Sequence, residues 1–333
     1  MRTIGIAALA VVAVAGVATA QTPAIEEWKV PWEKSRPRDP AVAPDGRIWF
    51  VGQAGNYVAR FDPVTAKFQQ FPIDSGTHPH TVIVDLAGNG WYAGNRNAMI
   101  GKIDGRTGAI TRFPMPDSSA RDPHTMVFDQ TGDIWFTVQG GNYVGKLATR
   151  TGKVTLVKVE TPNARPYGIL LDRQGRPWFD LFGTNKIGTI DPATMALKEF
   201  PLPNPRSRPR RIALTSDGAV WYGDYTGGVL GRLDPKTGAI KEWPAPSGKA
   251  SLPYAMATDD QDRIWMVETG VQPNKLVAFD PKQERFVEAA PIPGGGGTVR
   301  HMVFDPKTGL IWFGTDNNTI GKALVGKAAK PTA

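Results

Sequence analysis

Hydrophobic and polar residues follow one another in a repeating order along the chain. Each unit contains a β-rich run, a polar turn such as DRQGR at 172–176, and a segment that begins with tryptophan. A third run such as KIGTID enters a turn of the DPATM or DPKTG type, and a fourth run ends in FP or WP. Asp, Pro and Gly at these offsets suit tight turns closed by a glycine at positive φ. The pattern predicts a four-stranded antiparallel meander.

Seven tryptophans mark seven copies of this unit, and each is followed by an apolar or aromatic residue. They are Trp49, Trp91, Trp135, Trp178, Trp221, Trp265 and Trp312. Neighbouring copies are 42 to 47 residues apart. A four-stranded sheet of this size buries both faces only by packing against neighbours around an axis. The sequence therefore predicts an all-β, seven-bladed β-propeller whose tryptophans pack between blades.

The two ends of the chain predict how the ring closes. The last unit has a third strand near TIGKAL but no good fourth strand after it. The missing strand is found at the start, where AIEEWKVP at 24–31 mirrors AIKEWPAP at 239–246 in the fifth unit. The N-terminal strand is therefore expected to complete blade seven.

The first 20 residues differ from the repeats. One basic residue, Arg2, precedes an apolar run over 4–20 that ends in Ala-Thr-Ala, which is typical of a signal peptide and its cleavage site. A lone membrane anchor is the alternative, but the run is short for a span. We predict a signal peptide at 1–20, one propeller domain at 21–325 and a tail at 326–333, in a periplasmic or secreted protein that is not transmembrane after cleavage.

Composition and charge indicate which classes of partner to expect. With no cysteine, disulfides do not hold the fold together, and the formal charge of +8 is mostly scattered. The exception is RSRPRR at 206–211, which suits nucleic acid in a cytoplasmic protein. Export favours an acidic small molecule, a phosphate or a membrane surface instead. We expect a monomer that binds a small polar or anionic molecule, and no nucleic acid.

Connections in a meander alternate between the two faces of the ring, and the stereotyped turns fill one face. The positions that vary between copies gather at the other face, where they are free for function. After the strand-one proline stand Arg38, His80, His124, Tyr167, Arg210, Tyr254 and, after Val299 in place of proline, Arg300. Three residues after each tryptophan stand Gly52, Gly94, Val138, Leu181, Asp224, Glu268 and Thr315.

These side chains suggest both structural and chemical roles. Arg38, Arg210, Arg211 and Arg300 are expected to surround one channel mouth and favour anions, because guanidinium groups hold carboxylates and phosphates bidentately. Histidines at this mouth are either wall residues or bases. Glu268 and Asp224 are candidates for acid–base catalysis or metal binding, and the alternative is a salt bridge to Arg210 or Arg300.

The repeat resembles the virginiamycin B lyase (streptogramin lyase) family of seven-bladed propellers. The cleanest copy is ARPYGILLDRQGRPWFDLFGTNKIGTIDPATMALKEFPLP at 164–203, and the resemblance spans about residues 24–325. It implies a C–O lyase that opens a cyclic depsipeptide by elimination, with bound Mg²⁺ and a histidine base. The family's substrate-contacting histidine of blade six falls on Tyr254. Counted back from Trp312 by the spacing that separates His80 from Trp91, the family's base falls on His301. If the additional residue of the longer seventh unit lies in the DPKTG turn, the base falls on Arg300 instead.

The family's metal carboxylates are not matched. One falls on Val299 or Thr298 and the other on Thr315. Since Mg²⁺ prefers hard oxygen ligands, the resemblance makes Mg²⁺ possible but gives it no ligands at the expected places. A rotated placement matches better: His80 in blade two, followed by Asp122 and His124 in blade three, repeats the family's histidine and acid-x-histidine order, without the last carboxylate. Chance resemblance among repeats is the alternative.

The sequence therefore predicts an exported, streptogramin lyase-like propeller with its site at the channel mouth. The catalytic candidates are His124, His301 and Asp122, and the binding candidates are Arg38, His80, Tyr167, Arg210, Arg211, Tyr254 and Arg300. Whether the protein is an enzyme stays open. A non-catalytic binding or scaffold propeller is one alternative, because this fold serves unrelated functions. A lactonase-like hydrolase is another, although the channel carries more Arg and His than acids.

Overall fold

A computed structural model describes residues 22–327. The predicted signal peptide at 1–20 lies outside the described residues, as does 328–333 of the predicted tail. Within the described range the chain forms 28 β-strands and one short 3₁₀ helix at Gly248–Ser251. No helix in this range is long and apolar enough to cross a membrane.

The strands form seven four-stranded antiparallel sheets. Blade one contains β2 (Pro37–Val42), β3 (Ile48–Gly52), β4 (Tyr57–Asp62) and β5 (Lys67–Pro72). Blade two contains β6 (Val82–Val84), β7 (Gly90–Gly94), β8 (Met99–Ile103) and β9 (Ile110–Pro114). Blade three contains β10 (Pro123–Phe128), β11 (Ile134–Val138), β12 (Tyr143–Ala148) and β13 (Lys153–Lys158). Blade four contains β14 (Pro166–Leu171), β15 (Pro177–Leu181), β16 (Lys186–Ile190) and β17 (Leu197–Pro201).

The remaining blades complete the ring. Blade five contains β18 (Pro209–Leu214), β19 (Val220–Asp224), β20 (Val229–Leu233) and β21 (Ile240–Pro244). Blade six contains β22 (Pro253–Thr258), β23 (Ile264–Glu268), β24 (Lys275–Asp280) and β25 (Arg285–Pro291). Blade seven contains β26 (Val299–Asp305), β27 (Leu310–Thr315), β28 (Thr319–Leu324) and β1 (Ile25–Lys29). The seven-bladed propeller predicted from the repeats is confirmed.

The ring closes through the N-terminal strand, as predicted. β1 pairs antiparallel with β28, with Ile25 opposite Ala323 and Lys29 opposite Thr319. Trp28 packs on Phe61 of blade one and on Trp312 of blade seven, with ring centroids 5.0 and 5.9 Å apart. The first strand therefore seals the joint between the last blade and the first.

The repeated residues form the scaffold. All seven repeat tryptophans are buried, with at most 3% exposed. In blades two, four and six the indole N–H donates to the aspartate six residues earlier; Trp178 and Asp172 are 3.0 Å apart. That aspartate also accepts backbone N–H groups of its own turn, such as those of Gln174 and Arg176. One aspartate carboxylate therefore holds both the turn and the tryptophan in the core of the blade.

The first strand of each blade lies nearest the axis, where neighbouring inner strands contact one another. Its pairing with the second strand is irregular just after the start in six blades, for example between Pro123 and Met126 and between Pro209 and Ile212. Such a bulge re-aims side chains. Consequently two consecutive residues of the inner strands, instead of one, face the channel.

Candidate functional site

In each blade, the residue that follows the strand-one proline, or Val299 in blade seven, belongs to a ring across the channel that we call the upper ring. The upper ring contains Arg38, His80, His124, Tyr167, Arg210, Tyr254 and Arg300. The structure brings these sequence-predicted residues together, but as a packed plug, because His80, His124, Tyr167 and Arg38 are at most 4% exposed and Tyr254 is fully buried. Arg210 and Arg300 are partly exposed and form its accessible surface.

Two histidines of neighbouring blades pack closely against each other in this ring, with their planes tilted by 35°. The imidazoles of His80 and His124 have centroids 3.3 Å apart. The Nδ1 of each lies 3.0 to 3.1 Å from the hydroxyl of the next residue, Thr81 or Thr125. Burial, reinforced by nearby positive groups, lowers the pKa of both rings well below the ordinary 6.5. Both imidazoles are therefore neutral at physiological pH.

Arg210 lies in an aromatic cage. Its guanidinium carbon is 3.8 Å from the ring centroid of Tyr254, 4.3 Å from that of Tyr225 and 4.7 Å from that of Phe182. Cation–π contacts of this kind hold the group in place without neutralising it. Its Nε is buried and has no hydrogen-bond partner among residues 22–327.

The phenol groups of Tyr167 and Tyr254 contact each other across blade five. Burial opposes ionisation of Tyr254, but the guanidiniums of Arg38, Arg210, Arg211 and Arg300 outweigh it and lower its pKa to about 8. Burial and the neighbouring Tyr254 raise the pKa of Tyr167. The pair therefore loses its first proton from Tyr254, in a field of positive charge.

The residues one position after those of the upper ring form a second ring, which we call the lower ring. Of its members, the sequence predicted only Arg211 and His301 as site residues. The lower ring contains Asp39, Thr81, Thr125, Gly168, Arg211, Ala255 and His301. Only a bulge puts consecutive residues on one side of a strand, so alternation alone hides this ring. The lower-ring residues are nevertheless found at a constant position in the repeat, directly after the upper-ring residues.

Asp39 is the carboxylate that the arginines share. Its Oδ1 accepts from Arg38 Nε at 3.0 Å, and its Oδ2 accepts from Arg211 Nη2 at 3.2 Å and from Thr81 Oγ1 at 2.8 Å. Burial opposes its charge, but Arg38 and Arg211 outweigh burial and hold the pKa of Asp39 well below its usual range. With φ at 47°, its backbone lies in the left-handed region, which costs energy for a non-glycine residue.

The rim of the mouth consists of the residues four positions after each tryptophan, one beyond those singled out in the sequence. Asp316 holds Arg300 bidentately at 2.5 and 3.0 Å, and Gln53 accepts from Arg38 Nη1 at 3.0 Å. The structural alternative gave Glu268 and Asp224 a salt bridge to Arg210 or Arg300, but Arg300 pairs with Asp316 instead.

The three acidic candidates from the sequence, Asp122, Asp224 and Glu268, hold loops. Asp122 accepts the backbone N–H groups of Gly140 and Gly141. Asp224 accepts from the backbone N–H groups of Arg208 and Thr226. Each has the role of a loop anchor, and the Nδ1 of His124 lies 3.0 Å from the hydroxyl of Thr125.

Glu268 is a loop anchor too. It is fully buried and accepts both the backbone N–H and the hydroxyl of Ser247, at 2.8 and 2.6 Å. The residues at the family's metal positions also fit Mg²⁺ poorly, since Val299 is apolar and Thr315 shares a hydrogen bond with Thr319. Within the described range no three His, Asp or Glu side chains are grouped closely enough to hold a metal ion.

The charge balance indicates what the mouth is able to bind. Three arginines of the upper ring, Arg38, Arg210 and Arg300, and Arg211 just below them have only two carboxylates paired to them among residues 22–327, Asp39 and Asp316. The Nη2 of Arg38 is buried without a partner in the described structure. Buried donors without partners are costly, and an anion that reaches them recovers that cost.

This fold and site define a class of protein: a seven-bladed propeller with a polar plug at one channel mouth. A family model described as the Virginiamycin B lyase family matches residues 23–323. The chain therefore belongs to the virginiamycin B lyase family. No curated protein matches the chain.

Solved structures agree. A streptogramin B lyase structure is 26% identical with a TM-score of 0.82, and the match covers 92% of this chain and 98% of that one. Virginiamycin B lyase from Staphylococcus aureus is 24% identical with a TM-score of 0.82, covering 91% of this chain and 99% of that one. A catalytically inactive histidine-to-alanine variant of that enzyme, solved with quinupristin, matches to the same extent.

Proposed function

We propose that this chain is an exported lyase-like propeller that binds an anionic, ester-containing small molecule at the upper channel mouth and cleaves its C–O bond by elimination. The observation that carries the binding part is the surplus of guanidinium groups, with the unpaired Nη2 of Arg38 beneath the partly exposed Arg210 and Arg300. Family membership supports the reaction type, and the sequence of residues 1–20 supports export.

In this proposal the arginines hold the substrate and His124 acts as the base. The neutral imidazole takes the proton from the carbon next to the one that bears the alkyl oxygen of the ester. The C–H electrons form the new C=C bond, the C–O bond breaks, and its electron pair leaves with the carboxylate. Arg210 and Arg300 stabilise that developing negative charge, as fixed cations do in other active sites. His124 is preferred to His301 because it lies in the upper ring, whereas His301 lines the opposite half of the channel.

Anion binding is tested with benzoate and phosphate, by calorimetry and by thermal shift. Arg210→Gln combined with Arg300→Gln is expected to reduce the affinity for both anions at least tenfold, because two charge-assisted contacts are lost. Arg112→Gln is the matched control, since it removes one exposed arginine on the outer strand β9. Equal loss in the control would contradict a site at the mouth.

The reaction is tested with quinupristin, the ligand of the S. aureus enzyme variant, as a cyclic substrate. Elimination gives a linear product of unchanged mass, whereas a lactonase-like hydrolase adds one water. His124→Ala is expected to lower turnover about 100-fold or more, the usual worth of a general base, and EDTA is expected to have no effect. Turnover that persists in His124→Ala would contradict this role.

A non-catalytic binding propeller is the second candidate. One observation favours it: His80 and His124 are 3% and 2% exposed and neutral, as wall residues of a packed plug are. Anion binding at Arg210 and Arg300 without turnover of quinupristin or of simpler esters would favour this candidate over the lyase.

A further inference from the structure

Below the plug, the channel opens into space that the proposed function does not use. Two adjoining cavities of about 720 and 440 Å³ share Thr125 and His301 in their linings. No residue of the upper ring lines either of them. The lower half of the channel is therefore separate from the mouth.

The walls of this lower channel are apolar. Each inner strand contributes one small or branched residue: Ala41, Ile83, Val127, Leu170, Ala213, Ala257 and Val303. At the outer edge stand Pro44, Pro306 and Leu86, whose side chain is 96% exposed, together with the charged Asp45, Asp305 and Lys307. A concave, mostly apolar cavity of this size is typical of sites for small molecules.

The inner end carries a few polar groups, and most of them are already satisfied. Asp39 is shared by Arg38, Arg211 and Thr81. Arg211 also donates from Nη1 to Thr125 and from Nε to the carbonyl of Arg300, both at 3.2 Å. Each nitrogen of Arg211, the arginine that lines the lower channel, therefore already donates to a protein acceptor, and its charge is paired with Asp39.

His301 is different because one of its nitrogens is available. Its Nδ1 donates to the carbonyl oxygen of Met302 at 2.8 Å, which leaves Nε2 as an acceptor without a protein partner in the described range. Burial and the charge of Arg211 lower the pKa of His301 to about 4, so the ring is neutral. The imidazole is partly exposed and lines both cavities.

We infer that the lower channel is a second binding site, for a neutral and largely apolar small molecule whose hydroxyl or amide N–H donates to Nε2 of His301. Burial of a hydrocarbon group against these apolar walls is energetically favourable. A charged group buried at the inner end would lose its hydration, and Asp45, Asp305 and Lys307 offer countercharge only at the outer edge. A donor group on such a ligand matches the acceptor Nε2 of His301.

The test uses octan-1-ol, with octanoate and octylammonium as charged probes of the same length, by titration calorimetry at pH 7. Octanol is expected to bind at least tenfold more tightly than either ion. Val127→Trp fills the lower channel and is expected to reduce octanol affinity at least tenfold, whereas Val64→Trp, at a turn position that is 92% exposed, is expected to leave it unchanged. His301→Phe keeps the ring and removes the acceptor, which should weaken binding about threefold to tenfold.

Thermal melts identify variants that fail to fold, and Ala41→Leu is a milder filling variant if Val127→Trp is one of them. Octanol binding that is absent, or that survives a folded filling variant, overturns the site. Tighter binding of octanoate or octylammonium overturns the ligand class. Equal affinity in His301→Phe overturns the role of Nε2. None of these results depends on activity at the mouth.

Discussion

Two buried aspartates, Asp39 and Asp180, have pKa values that folding shifts in opposite directions. Asp39 is buried with Arg38 and Arg211 around it, whereas Asp180, also buried, accepts only the N–H of Gly168 and leaves Oδ2 without a partner in the part of the chain described. Burial raises the pKa of Asp180 well above the ordinary 3.8, although Arg211 opposes this. Folding therefore favours the charged form of Asp39 and the protonated form of Asp180.

Asp39→Asn is expected to lower the free energy of unfolding by about 3–5 kcal/mol, because it leaves two buried guanidiniums without their shared countercharge. Asp316→Asn is the matched control at the partly exposed rim, with an expected loss of about 1 kcal/mol or less. Urea denaturation of the two variants measures the difference. Equal losses would mean that Asp39 is not the anchor of the arginine cluster.

The pH dependence of Asp39 follows from the direction of its shift. A carboxyl whose pKa is lowered by folding stabilises the protein fully above its ordinary value of 3.8, and that contribution is lost as the pH falls below it. The stability gap between wild type and Asp39→Asn should therefore be constant from pH 5 to 7 and shrink below pH 4. A gap that grows in acid would contradict the assignment.

Asp180→Asn is expected to have the reverse effect. A carboxyl whose pKa is raised by folding costs stability increasingly as the pH rises above 3.8 towards its folded value. The amide avoids that cost, so the variant should be more stable than wild type by about 1 kcal/mol or more at pH 7, with the gain vanishing near pH 4. Thermal melts across this range measure it, and a loss at pH 7 would show that Asp180 is ionised.

At the scale of elements, the closing strand β1 does more than extend a sheet. Its Trp28 contacts both blades at the joint, and the matching residue in blade five, Trp243, likewise contacts Trp221 of its own blade and Phe279 of blade six. Both are outer-strand tryptophans in the same repeat position. Only the first is held to the rest of its blade by pairing between distant parts of the chain.

Trp28→Ala is expected to cost about 2–4 kcal/mol, somewhat less than a fully buried tryptophan, and to release β1 as an unpaired strand prone to aggregation. Trp243→Ala is the matched control, because its strand stays tethered on both sides. Hydrogen exchange should accelerate throughout β1 and β28 in Trp28→Ala but only locally in Trp243→Ala. Unchanged exchange in β28 would contradict the sealing role.

At the scale of the whole molecule, the scaffold was predictable because seven copies repeat the same turns and tryptophans. The upper ring was predictable too, since one repeat position marks it. Asp39 was not found, because a bulge interrupts the alternation on which strand interpretation rests. The loop partners of Glu268 and Asp224 come from segments without periodicity, so their structural role could only be seen in three dimensions.

Ring closure by β1 also sets an order in time. Ile25 and its partner Ala323 are nearly the full domain apart in sequence. At a synthesis rate of about 5–20 residues per second, the first strand leaves the ribosome roughly 15–60 s before the strand that receives it. The joint therefore forms only after translation has almost finished. A chain that stops before Thr319 leaves both ends of the joint unpaired, so even a short C-terminal truncation should be as damaging as loss of the N-terminal strand.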